Sequence, residues 1–115
     1  MTHFVIDCSV PVLDLLDPKI LLQEIHETAL ASTLFPEADI KVRLNPFKEH
    51  YFVGGKKDNF IHVFANIMEG RTTEQKANLS KLIVNKLKHF FPEVPITSIN
   101  IRDFQKATYC NKAMV

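Results

Sequence analysis

Two hydropathy rhythms alternate along this chain, and their order repeats: strand, helix, strand, then strand, helix, strand again. Residues 2–9 (THFVIDCS) put Phe4, Ile6 and Cys8 on one side and His3, Val5 and Asp7 on the other, the period-two pattern of a half-buried strand. After a loop holding Pro11, Asp17-Pro18 offers an N-cap acceptor and a proline suited to the first helical position. Leu21, Leu22, Ile25 and Ala29 recur at helical spacing up to about Leu34, and Pro36 ends the element. Residues 39–45 alternate once more, with Ile40, Val42 and Leu44 opposed to Lys41, Arg43 and Asn45. Within residues 50–58, YFVGGKKD reads as a short extended piece with a glycine turn, a hairpin excursion.

The second half runs in the same order without evident identity to the first. Residues 60–69 form a strand with Ile61, Val63, Ala65 and Ile67 on one face and His62, Phe64 and Asn66 on the other. Gly70-Arg71 turns the chain, and Thr72 with Gln75 makes a capping box in front of a helix. Leu79, Leu82, Ile83, Leu87 and Phe90 line one face of that helix, which Pro92 stops. Residues 97–104 alternate, with Ile99 and Ile101 opposed to Ser98, Asn100 and Arg102, and the tail QKATYCNKAMV carries weak signals.

Right-handed crossovers place both helices on one face of a four-stranded sheet. The expected architecture is a two-layer α/β sandwich built from a duplicated βαβ unit, occupying residues 1–115 as one domain. At 115 residues the length suits one hydrophobic core. A formal net charge of +1 gives no pull toward nucleic acid or an anionic membrane. No apolar run approaches a membrane span, and no basic segment followed by an apolar core opens the chain, so a cytoplasmic location is expected. Cys8 and Cys110 fit a reducing compartment as free thiols, and without a close Cys/His pair they leave no structural zinc site.

The second sheet face is the informative one. It carries His3, Asp7, Lys41, Arg43, His62, Asn66, Asn100 and Arg102, interleaved with Val5, Phe64 and Phe104. Such a face is either solvated, with Lys41 and Arg43 ion-paired to Asp7 or Asp103, or it is a subunit interface or ligand cavity. His3 and His62 are expected to serve as hydrogen-bonding groups, and His26, His50 and His89 as surface residues. Phe47, Tyr51 and Phe52 either cover a neighbouring subunit or pack within their own.

THFVIDCS, FPEADIKVR and MEGRTTEQKANLSKLIVNKLKHFFP together resemble the 5-carboxymethyl-2-hydroxymuconate delta-isomerase family of the tautomerase superfamily. The resemblance runs from Thr2 to about Cys110 and implies a tautomerase fold and a homotrimer whose polar sheet faces meet inside. It also implies proton-transfer isomerisation of an unsaturated 2-hydroxy dicarboxylate, with neither cofactor nor metal. The family's base is the amine of an N-terminal proline exposed by loss of the initiator Met. Here that position is Thr2, a primary amine, so weakened or altered activity is the expectation. Thr is small enough for Met1 to be removed. An ordinary α-amine, with a pKa of about 7.7–8.0, is already partly neutral near neutral pH, and burial or nearby cations lower it further. The resemblance assigns substrate binding to Lys41, in the place of a family arginine, to Arg43 beyond it, and to Arg71 before the second helix.

Two other readings stand beside this one. A noncatalytic protein of the same fold would bind an anionic metabolite through Arg71 and Lys41. A ferredoxin-like regulatory module would share the βαββαβ order, since fold alone does not fix function.

Overall fold

The computed structural model describes residues 1–115. The strands are β1 (Thr2–Ser9), β2 (Ile40–Phe47), β3 (Phe60–Met68) and β4 (Ile96–Phe104); the helices are α1 (Pro18–Ala31) and α2 (Thr73–Phe90). Sheet order is β2-β1-β3-β4. β2 lies parallel to β1, β1 antiparallel to β3, and β3 parallel to β4. Each βαβ half is therefore a parallel pair, and the halves join back to back through the two central strands.

Burial follows the expected alternation. Phe4, Ile6 and Cys8 on β1 and Ile61, Val63, Ala65 and Ile67 on β3 are fully buried, because these central strands lie under both helices. Leu21, Ile25 and Ala29 of α1 and Leu79, Ile83 and Leu87 of α2 close over them. The helices touch each other, α1 resting toward β2 and α2 toward β4. Val42, Leu44, Ile99 and Ile101 on the edge strands are only half-buried but pack on the same core.

Both helix starts behave as read. The Asp17 side chain accepts from the Lys19 N–H at 2.9 Å with Pro18 opening α1. At α2 the Thr72 N–H donates to Gln75 Oε1 at 2.9 Å, and the Gln75 N–H donates to Thr72 Oγ1 at 3.1 Å. The ends differ more. α1 stops at Ala31 rather than near Leu34, since Thr33 takes φ 64°, a left-handed conformation that breaks the helical ladder. β2 runs on through Pro46 to Phe47. A proline without an N–H is tolerated there because β2 is an edge strand.

Around Pro11 the loop is a 3-10 turn, Val10–Asp14, that buries Val12. The glycine excursion is a minimal hairpin: Val53 bridges Lys56, with Gly54 and Gly55 at φ 61° and 84°. Phe47 and Tyr51 pack on Phe60, with ring centroids 6.1 and 5.6 Å away, while Phe52 is 81% exposed. No helix is long and apolar enough to cross a membrane.

Candidate active site

At one end of the sheet, β1 and β2 both begin and β3 and β4 both end. The parallel register of β1 on β2 sets His3 opposite Lys41 and Val5 opposite Arg43. Met1 precedes Thr2 at this end, and its amine donates to the Asp39 carbonyl oxygen at 3.3 Å and lies 3.8 Å from the Asp39 carboxylate. Lys41 Nζ donates to the same carbonyl oxygen at 3.1 Å. Thr2 is buried at 3% exposure, its side chain on the helix-covered face with Phe4.

Arg71, just beyond β3, comes to the same end. Its Nη1 donates to the Met68 carbonyl at 3.0 Å, its Nη2 to the Leu34 carbonyl at 2.8 Å, and its guanidinium lies 5.0 Å from the Phe35 ring centre. The guanidinium is thus oriented by backbone from both halves. Each terminal nitrogen keeps a second N–H for another acceptor. The helix N-terminus behind it is only partly open to an anion. The capping box takes the Thr72 and Gln75 N–H groups, and Glu74 sits in the first turn.

Burial is the main cause that lowers the pKa of the terminal amine. Asp39 opposes it, while the charges of Lys41 and Arg71 lower it further. His3 is also held below the ordinary histidine value, first by burial and then by Arg43, Lys41 and the amine. Arg43 Nη1 donates to His3 Nδ1 at 3.0 Å. An arginine can only donate, so His3 is a neutral acceptor there. The cations expected to hold a ligand therefore gather around the first residues, with Arg43 anchored by His3.

Neither Lys41 nor Arg43 makes the cross-strand ion pair considered for it. Asp7 accepts from Asn45 Nδ2 at 3.2 Å, and Asp103 pairs with Lys76 at 3.1 Å. His62 is a hydrogen-bonding residue, bridging Ser98 Oγ at 2.7 Å and Asn100 Oδ1 at 2.6 Å. Its ring meets Phe64 edge-on at 4.6 Å, and the Arg102 guanidinium stands 5.1 Å from the Phe64 ring centre. Phe64 is nevertheless only half-buried, at the centre of a polar face that nothing in the single chain covers. His26 pairs with Glu37 at 2.8 Å, and exposed His50 lies 3.9 Å from Glu49.

Three residues at this end escape the sequence reading: Asp39, Tyr109 and Asn111. Asp39 is adjacent to the cationic strand, a signal that alternation alone does not weigh. Tyr109 donates to Met1 Sδ at 2.8 Å from the far end of the chain, and no local pattern foretells that. Cys8 and Cys110 are free thiols; burial and the neighbouring Asp7 push Cys8 up to about 11. No group of three His, Cys, Asp or Glu side chains is placed to hold a metal ion. The largest surface concavity, about 540 Å³ between the outer faces of α1 and α2, is lined by Glu24, Leu82, Lys86 and His89 among others. None of the three concavities of the single chain includes Thr2, Lys41, Arg43 or Arg71.

Comparison with known proteins agrees with the fold. The crystal structure of Pt0534 inactivated by 2-oxo-3-pentynoate superposes with a TM-score of 0.84 at 21% identity, covering 98% of this chain and 94% of that one. A 5-carboxymethyl-2-hydroxymuconate isomerase from Deinococcus radiodurans gives 0.83 at 23% identity, covering 96% and 88%. A fused 4-OT protein solved as a symmetric trimer gives 0.81 at 17% identity, covering 98% and 94%. No curated protein sequence matches the chain. A sequence profile covering residues 2–112 is that of 5-carboxymethyl-2-hydroxymuconate isomerase. On that match over nearly its whole length, the chain belongs to the 5-carboxymethyl-2-hydroxymuconate isomerase family, within the tautomerase superfamily of enzymes.

Proposed function

We propose that this chain, once Met1 is removed, is an isomerase that moves a proton between oxygen and carbon in an unsaturated 2-hydroxy dicarboxylate. The freed Thr2 amine takes the proton of the 2-hydroxyl group. The released electron pair closes the C2 carbonyl, the conjugated double bonds shift, and the ammonium returns the proton to carbon. The base emerges unchanged. Lys41, Arg43 and Arg71 hold the two carboxylates.

One observation carries this reading: the chain start lies beside Lys41 and Arg71, where burial, opposed by Asp39 and aided by those two cations, lowers the pKa of the Met1 amine. Both effects favour the neutral base and attract an anionic substrate. Excision of Met1 moves the terminus one residue inward, to a position that is 3% exposed in the intact chain. Thr2 gives a weaker enzyme than proline would, because a primary amine rotates freely while a proline ring fixes its nitrogen. A misplacement of about 1 Å costs on the order of a hundredfold in rate.

The active form we propose is a homotrimer. The half-buried Phe64 among Arg102, His62 and Asn100 on an uncovered sheet face supports it, as does the absence of a concavity around the charged cluster of the single chain. Solved relatives of the same fold are trimers.

The test is turnover of a 2-hydroxymuconate-type dicarboxylate, followed by ultraviolet absorbance, with Thr2→Pro beside the parent. Both are verified by mass to lack Met1. The parent is expected to turn over slowly and Thr2→Pro at least about tenfold faster. No turnover by either form, with dicarboxylate binding retained, would favour the noncatalytic binding protein that the loss of proline also suggests. A monomer in light scattering would remove the trimer.

A further inference from the structure

Beyond Phe104 the chain turns back over its own first residue. The Lys106 N–H donates to the Glu69 carboxylate, and the Thr108 and Tyr109 N–H groups both donate to the Gln105 carbonyl at 3.2 Å. The Tyr109 ring packs on Phe104 with centroids 5.8 Å apart. Held this way, the Tyr109 hydroxyl donates to Met1 Sδ at 2.8 Å, and Asn111 Nδ2 approaches the same sulfur at 3.7 Å. Asn111 Oδ1 accepts from the Ala113 N–H at 3.1 Å, so the amide nitrogen is the end left facing Met1.

Two good donors converging on a thioether make a poor match, since sulfur is a weak acceptor. An oxygen suits them better, and a charged oxygen best of all. Both signs of charge stand near the Met1 amine. Lys41 and Arg71 act on the Met1 amine, and Asp39, the one acid acting on it, lies 3.8 Å away.

We infer that the Met1 side chain stands where a ligand oxygen belongs, and that Tyr109 and Asn111 are its neutral donors. Loss of Met1 then does two things at once: it frees the Thr2 amine and empties the place these donors surround. This inference rests on the isomerase reading and names the wall of that same site which carries no charge. A carboxylate or enolate oxygen at C1 or C2 of the substrate accepts from Tyr109 and Asn111, while Lys41 and Arg71 supply the positive field. The tail of the chain thereby takes part in ligand recognition.

The experiment titrates muconate, an unsaturated dicarboxylate that lacks the 2-hydroxyl, by calorimetry. The parent is measured before and after methionine aminopeptidase treatment, with removal of Met1 read by mass, and Tyr109→Phe is measured without Met1. Tyr109→Phe keeps the ring that packs on Phe104, so its melting temperature should match the parent's. Its dissociation constant should rise about tenfold, the loss of one hydrogen bond to a charged acceptor. Protein retaining Met1 should bind at least about tenfold more weakly than protein without it. Equal affinity in Tyr109→Phe and a muconate-binding parent overturns the inference and leaves the isomerase reading standing. Weakened binding in Tyr109→Phe with no turnover by the parent supports the inference and sinks the isomerase reading. No binding by the Met1-free parent overturns both.

Discussion

Replacing Arg71 by Met should cost stability as well as ligand binding, and the size of the loss follows from its contacts. The guanidinium donates to two backbone carbonyls, at 3.0 and 2.8 Å, one from the end of β3 and one from the loop after α1. Hydrogen bonds from a charged donor contribute about 1.5–3 kcal/mol each, and a half-buried pair belongs at the low end. Stacking over Phe35 at 5.0 Å adds about 0.5–1 kcal/mol, part of which the Met side chain recovers by packing. The net expectation is a loss of about 3 kcal/mol. For a domain of this size that lowers the melting temperature by about 10 °C. In urea it lowers the midpoint by about 1–2 M with an unchanged slope. Lys41→Met is the control: Lys41 is exposed and bonds one carbonyl, so its loss should stay within about 0.5 kcal/mol. If Arg71→Met melts within about 2 °C of the parent, the carbonyl contacts give no net stabilisation. Backbone from both halves then does not hold this guanidinium in place.

The remaining expectations concern protons, thiols and packing. His3 has a folded pKa below its unfolded value, so the unfolded chain binds more protons and stability falls as pH drops below about 6.5. Urea unfolding at about pH 7.5 and about pH 5.5 should show a smaller loss in His3→Gln than in the parent; an equal loss would assign the acid sensitivity elsewhere. In the Met1-free enzyme, kcat/KM should fall on the acid side with an apparent pKa below the roughly 7.7–8.0 of a free α-amine, and a value above that range would contradict a desolvated base. Thiol titration near neutral pH should find Cys110 reactive in the folded chain and Cys8 only after unfolding, since Cys8 is fully buried with its pKa near 11. Ile83→Ala should cost about 2–5 kcal/mol in urea unfolding, because its side chain is fully buried in the core; a cost under about 1 kcal/mol would mean the helix layer collapses to fill the gap.

Strand faces and helix starts were legible in the sequence because their causes are local. Alternation on β1 and β3 separated core from polar face residue by residue, and Asp17-Pro18 and Thr72 with Gln75 marked where α1 and α2 begin. The early end of α1 was not legible. Thr33 takes a left-handed conformation, φ 64°, without the glycine that would signal it. The extension of β2 past Pro46 depended on sheet order, which alternation does not encode. At the candidate site, the gathering of Lys41, Arg43 and Arg71 could be expected, but their partners could not. Arg71 reaches Leu34, Arg43 reaches His3, and Tyr109 reaches Met1, all across long stretches of chain. These contacts follow from strand order and the path of the tail, neither of which has a local periodicity.

Duplication brings several distant parts of the chain to one end of the sheet. Because β1 and β3 are antiparallel, the start of each half lies beside the end of the other half's first strand. At the start of β1, chain arrives from four directions: Met1, Lys41 on β2, Arg71 after β3, and Tyr109 after β4. At the start of β3 the geometry is repeated, but the chain there is continuous. The Phe60 nitrogen is an amide whose N–H donates to Ser9 Oγ at 3.2 Å, and that hydroxyl donates to Asn59 Oδ1 at 2.9 Å. The Asn59 N–H donates to the Asp58 carboxylate at 2.8 Å, and no chain terminus lies there. The two halves thus share a backbone plan, and the proposed loss of Met1 would set them apart by one covalent fact: a free amine leading β1 where β3 keeps an amide. A base made this way needs no buried ionisable side chain, with its desolvation cost in the core. Its position is set instead by the strands that pair with β1 on both sides, the most constrained part of the sheet.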